Sequence, residues 1–67
     1  MTETKQPDVG SQLLRLRQER GLSLRAIARR CGLSVNAISR IERGESSPTV
    51  SSLQRLAKTL NVEVLEF

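Results

Sequence analysis

The stretch from Leu24 to Arg43, LRAIARRCGLSVNAISRIER, restricts the fold more than any other part of the chain. Ile27, Ala28 and Cys31 recur at three- and four-residue spacing, which places them on one face of a helix. Ile38 and Ile41 do the same for a second segment. Between them Gly32 sits just after the last periodic residue, where a left-handed helix end is expected and where glycine alone avoids a Cβ clash. Leu33 supplies an apolar residue under the turn, and Ser34 is placed to cap the next helix by accepting a backbone N–H. Ala28 is small enough to let that helix approach closely. A small residue, a glycine and apolar supports at these intervals define a helix-turn-helix over residues 24–43.

Sixty-seven residues make one domain, near the lower size at which a chain folds without disulfides or metals. With one aromatic residue, Phe67, and a supply of Leu, Ile, Val and Ala, close helix packing suits the composition better than a sheet. A single Cys forms no internal disulfide, and no signal peptide or membrane-spanning run is present. A reducing cytoplasm is therefore the expected setting, with no membrane partner. The absence of His, beside one Cys, argues against a zinc site and removes the usual base and nucleophile pairs of an enzyme, so neither cofactor nor catalysis is expected.

The net charge of +4 understates how basic the middle is. From Leu13 to Arg43, eight arginines face only Glu19 and Glu42, a balance of +6, and each flank carries −1. Such clustering suits a polyanion, because neutralising phosphates releases counterions and drives binding without regard to sequence. A solvated arginine-rich surface that keeps a small protein soluble would carry the same signature. Charge alone leaves the two readings even, and its coincidence with the helix-turn-helix favours the polyanion.

In chain order, residues 1–8, MTETKQPD, are polar and aperiodic and read as a disordered lead-in to a domain over 9–67. The first helix is expected from near Asp8 to Glu19 or Arg20, with Val9, Leu13 and Leu16 inward and Gly21 ending it. Leu14 lies off that stripe, as an isolated exposed leucine or as part of a contact with another chain. Leu22 packs inward, and Ser23 is a candidate cap for a second helix over Leu24 to Arg30. The third helix spans Ser34 to Glu42 or Arg43, its inward Ile38 and Ile41 leaving Val35, Asn36, Ser39 and Arg40 outside. Gly44 is its candidate C-cap. Pro48 and Thr49 prepare a fourth helix over Val50 to Leu60, in which Val50, Leu53, Leu56, Ala57 and Leu60 recur at helical spacing. Asn61 suits the position after it, and Val62, Val64 and Phe67 read as the start of a fifth.

The chain resembles the phage repressor and Cro (XRE-type) helix-turn-helix family. Ala28, Gly32 and Ile38 carry the resemblance within the motif, and LRLRQERGLS, ISRIERGESSPT and LQRLAKTLNV extend it, in order, over about Val9 to Phe67. Agreement over several elements is far more specific than a bare motif match. The resemblance implies an all-α, compact five-helix lambda-repressor-like domain that binds double-stranded DNA, with helices 2 and 3 forming the motif. It implies that residues 34–43 are the recognition helix, with Val35, Asn36, Ser39 and Arg40 as base contacts. Asn pairs with adenine and Arg with guanine in the major groove, while Val offers only an apolar contact. Ser23, Arg25, Ser34, Arg43 and Ser47 are the implied phosphate contacts, helix N-termini being suited to anions. Arg29 and Arg30 are further phosphate candidates, although helical spacing sends the three arginines of helix 2 in different directions.

Leu24 departs from the pattern, since many members place Gln there for a DNA contact, and Glu45 opposes phosphate binding locally. The resemblance further implies that Arg17 and Glu42 form a partly buried ion pair between helix 1 and the end of helix 3; a surface pair would be worth only about 0–1 kcal/mol. The assembly on DNA is either a two-fold homodimer or a weakly binding monomer, which the sequence fits equally well. The chain is either the N-terminal piece of a longer regulator whose C-terminal effector domain is absent from this sequence, or a complete small repressor. The rival function is a protein-interaction module of the same fold, an antitoxin or adaptor, because fold alone does not fix function. Hydrogen-bonding groups on the outer face of helix 3 favour DNA; apolar anchors there would favour the rival.

Overall fold

A computed structural model describes residues 8–64 and residue 67. Four α-helices are present among them, α1 (Val9–Glu19), α2 (Leu24–Cys31), α3 (Val35–Glu42) and α4 (Val50–Leu60), and no strand. Each begins with a side chain that accepts one of the free N–H groups of the first turn. Asp8, Ser23, Ser34 and Thr49 accept from Gly10, Ala26, Ala37 and Ser52. Asp8, read from sequence as the last residue of the lead-in, is thus the N-cap of α1; the rest of the lead-in, residues 1–7, lies outside the described residues.

The helix ends share one device. One or two residues past each C-terminus a residue takes a positive φ, and the next N–H reaches back five residues to a carbonyl that the helix leaves free. These bonds run from Leu22 to Arg17, Leu33 to Ala28, Glu45 to Arg40 and Val62 to Ala57, at 2.9–3.1 Å. At three of the four ends the donor is apolar and packs on the core: Leu22, Leu33 and Val62. At α3 the donor is Glu45, so that end has no apolar anchor and must be held by other means. Gly44, at φ 77°, follows the cap residue Arg43 and does not itself form the cap.

One apolar core joins the helices. Leu13, Ile27, Ile38, Leu56 and Leu60 are fully buried, each worth about 1.5–3 kcal/mol relative to exposure. Leu16, Ala28, Cys31 and Ile41 complete the cluster. Helix α2 lies at its centre, packed on both α3 and α4, while α1 packs on α3.

Two expectations are corrected. The five-helix domain has four α-helices among the described residues. Past Asn61 the Phe67 N–H donates to the Val64 carbonyl at 3.1 Å. Leu65 and Glu66, which a fifth helix would include, lie outside the described residues. Val62 and Phe67 instead pack against the core from the outside. Val50 is not inward, being 72% exposed. It sits in the first turn, on the rim of the apolar stripe defined by Leu56, Ala57 and Leu60, where the period no longer guarantees a neighbour.

Candidate nucleic-acid interface

The turn between α2 and α3 fixes how α3 is presented. Gly32 takes φ 75°, the left-handed conformation expected of it. Ser34 is extended, and its Oγ accepts the Ala37 N–H at 3.0 Å. Only Gly32, Leu33 and Ser34 separate the helices, and Ala28 is buried beneath their crossing. Three residues leave little freedom of angle.

The far end of α3 is held by α1. Gly10 is buried against the last turn of α3: a Cβ there would overlap the Ile41 carbonyl oxygen and lie 3.0 Å from that of Glu42. Two helix turns further along α1, the Arg17 guanidinium grips Glu42 with two bonds, Nε to Oε2 at 2.6 Å and Nη2 to Oε1 at 3.1 Å. Its Nη1 donates to the Leu22 carbonyl at 2.9 Å. With side-chain exposures of 14% and 7%, this is the partly buried pair implied by the resemblance, and a bidentate one. It supplies the anchor that the Glu45 end lacks.

Held at both ends, α3 turns one face outward. At 100° per residue, Val35, Asn36, Ser39 and Arg40 fall within an arc of about 140° opposite Ile38 and Ile41. Asn36 and Arg40 are exposed, Val35 is 40% exposed and Ser39 half-buried. Ser23 and Ser34 lie at the exposed starts of α2 and α3; each Oγ already accepts a backbone N–H, which leaves its O–H to donate. Arg25 is exposed in the first turn of α2. Among the described residues neither Arg25 nor Arg40 has a carboxylate within ion-pair distance.

Arg43 and Ser47 are exposed in the loop after α3. Arg43 is less free than the sequence suggests: its Nε donates to the Ser39 carbonyl at 3.3 Å and its Nη2 lies 3.5 Å from Glu45. Both side chains of that pair are more than half exposed, so the attraction is weak enough for a phosphate to displace. Leu24 is half-buried and packs against the core, consistent with the loss of a donor at that position. Arg29 and Arg30 are not with the α3 face. They line a depression with Cys31, Gly32, Arg55, Lys58 and Thr59, between the end of α2 and α4.

Sequence reasoning missed two positions that support this surface. Gly10 shares the inner stripe with Val9 and Leu13, and a glycine on the buried stripe of a helix, where it costs about 1 kcal/mol of propensity, was the available signal. Arg20 donates through Nε to the Leu60 carbonyl at 2.8 Å, joining the end of α1 to the end of α4. Nothing in the sequence marks Arg20 apart from its neighbours. Among the described residues no group of three metal-binding side chains occurs, and no helix is long and apolar enough to cross a membrane.

Comparison with known proteins places this geometry. Residues 13–67 match the helix-turn-helix family model HTH_3. Over 58 residues the chain is 43% identical to the HTH-type transcriptional regulator PuuR of Escherichia coli, covering 87% of this chain and 31% of PuuR. It thus spans about a third of that relative's length. Among solved structures, the restriction-modification controller protein C.AhdI of Aeromonas hydrophila superposes with a TM-score of 0.85 at 30% identity, over 88% of this chain and 89% of that one. The DNA-binding domain of the P22 c2 repressor gives 0.87 at 26% identity, over 91% and 80%. The chain therefore belongs to the HTH_3 family of XRE-type helix-turn-helix proteins, among whose members it matches relatives named as transcriptional regulators.

Proposed function

We propose that this domain reads double-stranded DNA sequence-specifically and regulates transcription, with α3 and its cap, residues 34–43, in the major groove. The observation that carries the reading is the outer face of α3. It is hydrogen-bonding and basic, with Val35 its only apolar member, and it is held at both ends by packing that the face itself does not use. Asn36 and Arg40 supply most of the base discrimination, to adenine and guanine respectively; Val35 and Ser39 contribute apolar and short polar contacts. Ser23, Arg25, Ser34, Arg43 and Ser47 set the register on the phosphates. Arg17, Glu42, Ala28, Gly32 and Ile38 act only by fixing the angle of α3.

The regulator acts in a reducing cytoplasm, its one thiol, Cys31, being buried and free. It binds as a homodimer on half-sites about 34–36 Å apart. An antitoxin or adaptor role would rely on apolar anchors on α3, where Val35 is the one apolar member of a face otherwise made of Asn36, Ser39 and Arg40.

An amide-shift NMR titration with mixed-sequence duplex DNA, at low and then higher salt, tests the surface without knowledge of the operator. Shifts confined to residues 23–25, 34–43 and 46–49, and reversed by salt, are expected. Shifts absent at low salt, or confined to residues after Asn61, would reject the reading.

A further inference from the structure

The basic seam between α2 and α4 is not used by the DNA-reading surface. Arg29 and Arg30, from the last turn of α2, and Arg55 and Lys58, from α4, line an open depression of about 510 Å³, with the Thr59 side chain beside them. All four cations are exposed. The Arg55 guanidinium lies over the helix end, its Nη1 3.5 Å from where a Cβ on Gly32 would be.

Among the described residues none of the four has a carboxylate within ion-pair distance, and most carboxylates are taken elsewhere. Glu19 pairs with Arg15 and Arg20, Glu42 with Arg17, and Glu45 with Arg43, while Asp8 caps α1. One or two cations suffice to complement the negative end of α2. Four within one depression repel one another, an arrangement that an external anion relieves.

At 100° per residue Arg30 lies about 140° around α2 from Arg25 and Arg29 about 40° from it, so Arg29 borders the proposed phosphate contact while Arg30 turns away from it, toward the Arg55 and Lys58 of α4 that share its depression. The depression is also too open to enclose a small molecule, which a ligand pocket buries over most of its surface. An extended chain carrying several carboxylates needs no enclosure, only a row of cations.

We propose that the α2–α4 seam docks an acidic segment of a partner protein, through Arg29, Arg30, Arg55 and Lys58. The docking is electrostatic and salt-sensitive, and it does not depend on the DNA reading. It leaves the α3 face unobstructed, so partner and duplex can be held together.

The test uses the labelled chain, an octaglutamate peptide, an octaglutamine control and duplex DNA, all at low salt. Octaglutamate is expected to shift the amides of residues 29–32 and 55–59 several-fold more than those of 35–40, and octaglutamine to shift neither set. The double variant Arg55→Glu/Lys58→Glu should weaken the peptide at least tenfold while changing DNA affinity less than twofold. Arg55→Gln/Lys58→Gln, which adds no new charge, should show the same order with a smaller loss and guards against misfolding of the reversal. Three results would overturn the proposal: no shifts at millimolar peptide, shifts spread equally over the α3 face, or an equal loss of DNA affinity in the double variants. The last would make the seam part of a DNA contact.

Discussion

Gly10→Ala sets local propensity against tertiary contact. In an isolated helix the change favours folding by about 1 kcal/mol, because alanine loses less backbone entropy than glycine. In this protein the new Cβ would overlap the Ile41 carbonyl oxygen and stand 3.0 Å from that of Glu42, both backbone atoms of the last turn of α3. Neither can swing aside as a side chain would. Helix α1 must therefore retreat, which loosens Leu13 against its neighbours and stretches the 2.6 Å bond between Arg17 and Glu42. Overpacking of this kind costs about 1–3 kcal/mol, and strain on the ion pair adds to it. The expected net loss is about 1–3 kcal/mol after the propensity gain.

Urea denaturation of Gly10→Ala beside Gln18→Ala, an exposed position of the same helix, measures it. The control should stay within about 0.5 kcal/mol of the parent. Thermal unfolding gives a second reading, about 4–8 °C per kcal/mol for a domain of this size. A Gly10→Ala protein as stable as the parent, or more so, would show that α1 and α3 do not meet there and would refute the account of how α3 is anchored.

Removing one partner of the bidentate pair, by Arg17→Met or Glu42→Gln, should cost about 3–5 kcal/mol in the same denaturation assay by stranding a partly buried charge. Losses under 1 kcal/mol would mark the pair as a surface one. Ser34→Ala removes the cap of α3 and should cost about 0.5–2 kcal/mol, read as a lower urea midpoint with unchanged slope. Once an operator is selected, Arg40→Ala should cost about 1–3 kcal/mol of binding and relax preference at one base pair, as read by competition among single-base variants. Equal losses on every sequence would remove Arg40 from the base-reading set. Arg43→Ala should instead weaken all sequences alike and lower the salt slope by about 1; an unchanged slope would remove Arg43 from the phosphate contacts.

What the sequence determined by itself was local. Side-chain caps at Ser23, Ser34 and Thr49, positive-φ ends at Gly32 and Asn61, and apolar periods of three and four act within a turn or two, so each is legible in a short window. The helix-turn-helix followed because its residues 24–43 are contiguous and its loop is three residues long. The outer face of α3 was equally readable, since Ile38 and Ile41 fix which side is buried.

Contacts between distant segments decided the rest. The Arg17–Glu42 pair was implied only by the resemblance, and its bidentate geometry depends on α1 crossing α3 closely. That crossing depends in turn on Gly10, whose lack of a side chain leaves no periodic signature. Arg20 reaches a carbonyl forty residues away, and the basic seam joins α2 to α4, two elements that share no local pattern. Val50 kept the helical period yet found no neighbour, because periodicity sets a side chain's direction whereas burial requires another element on that side.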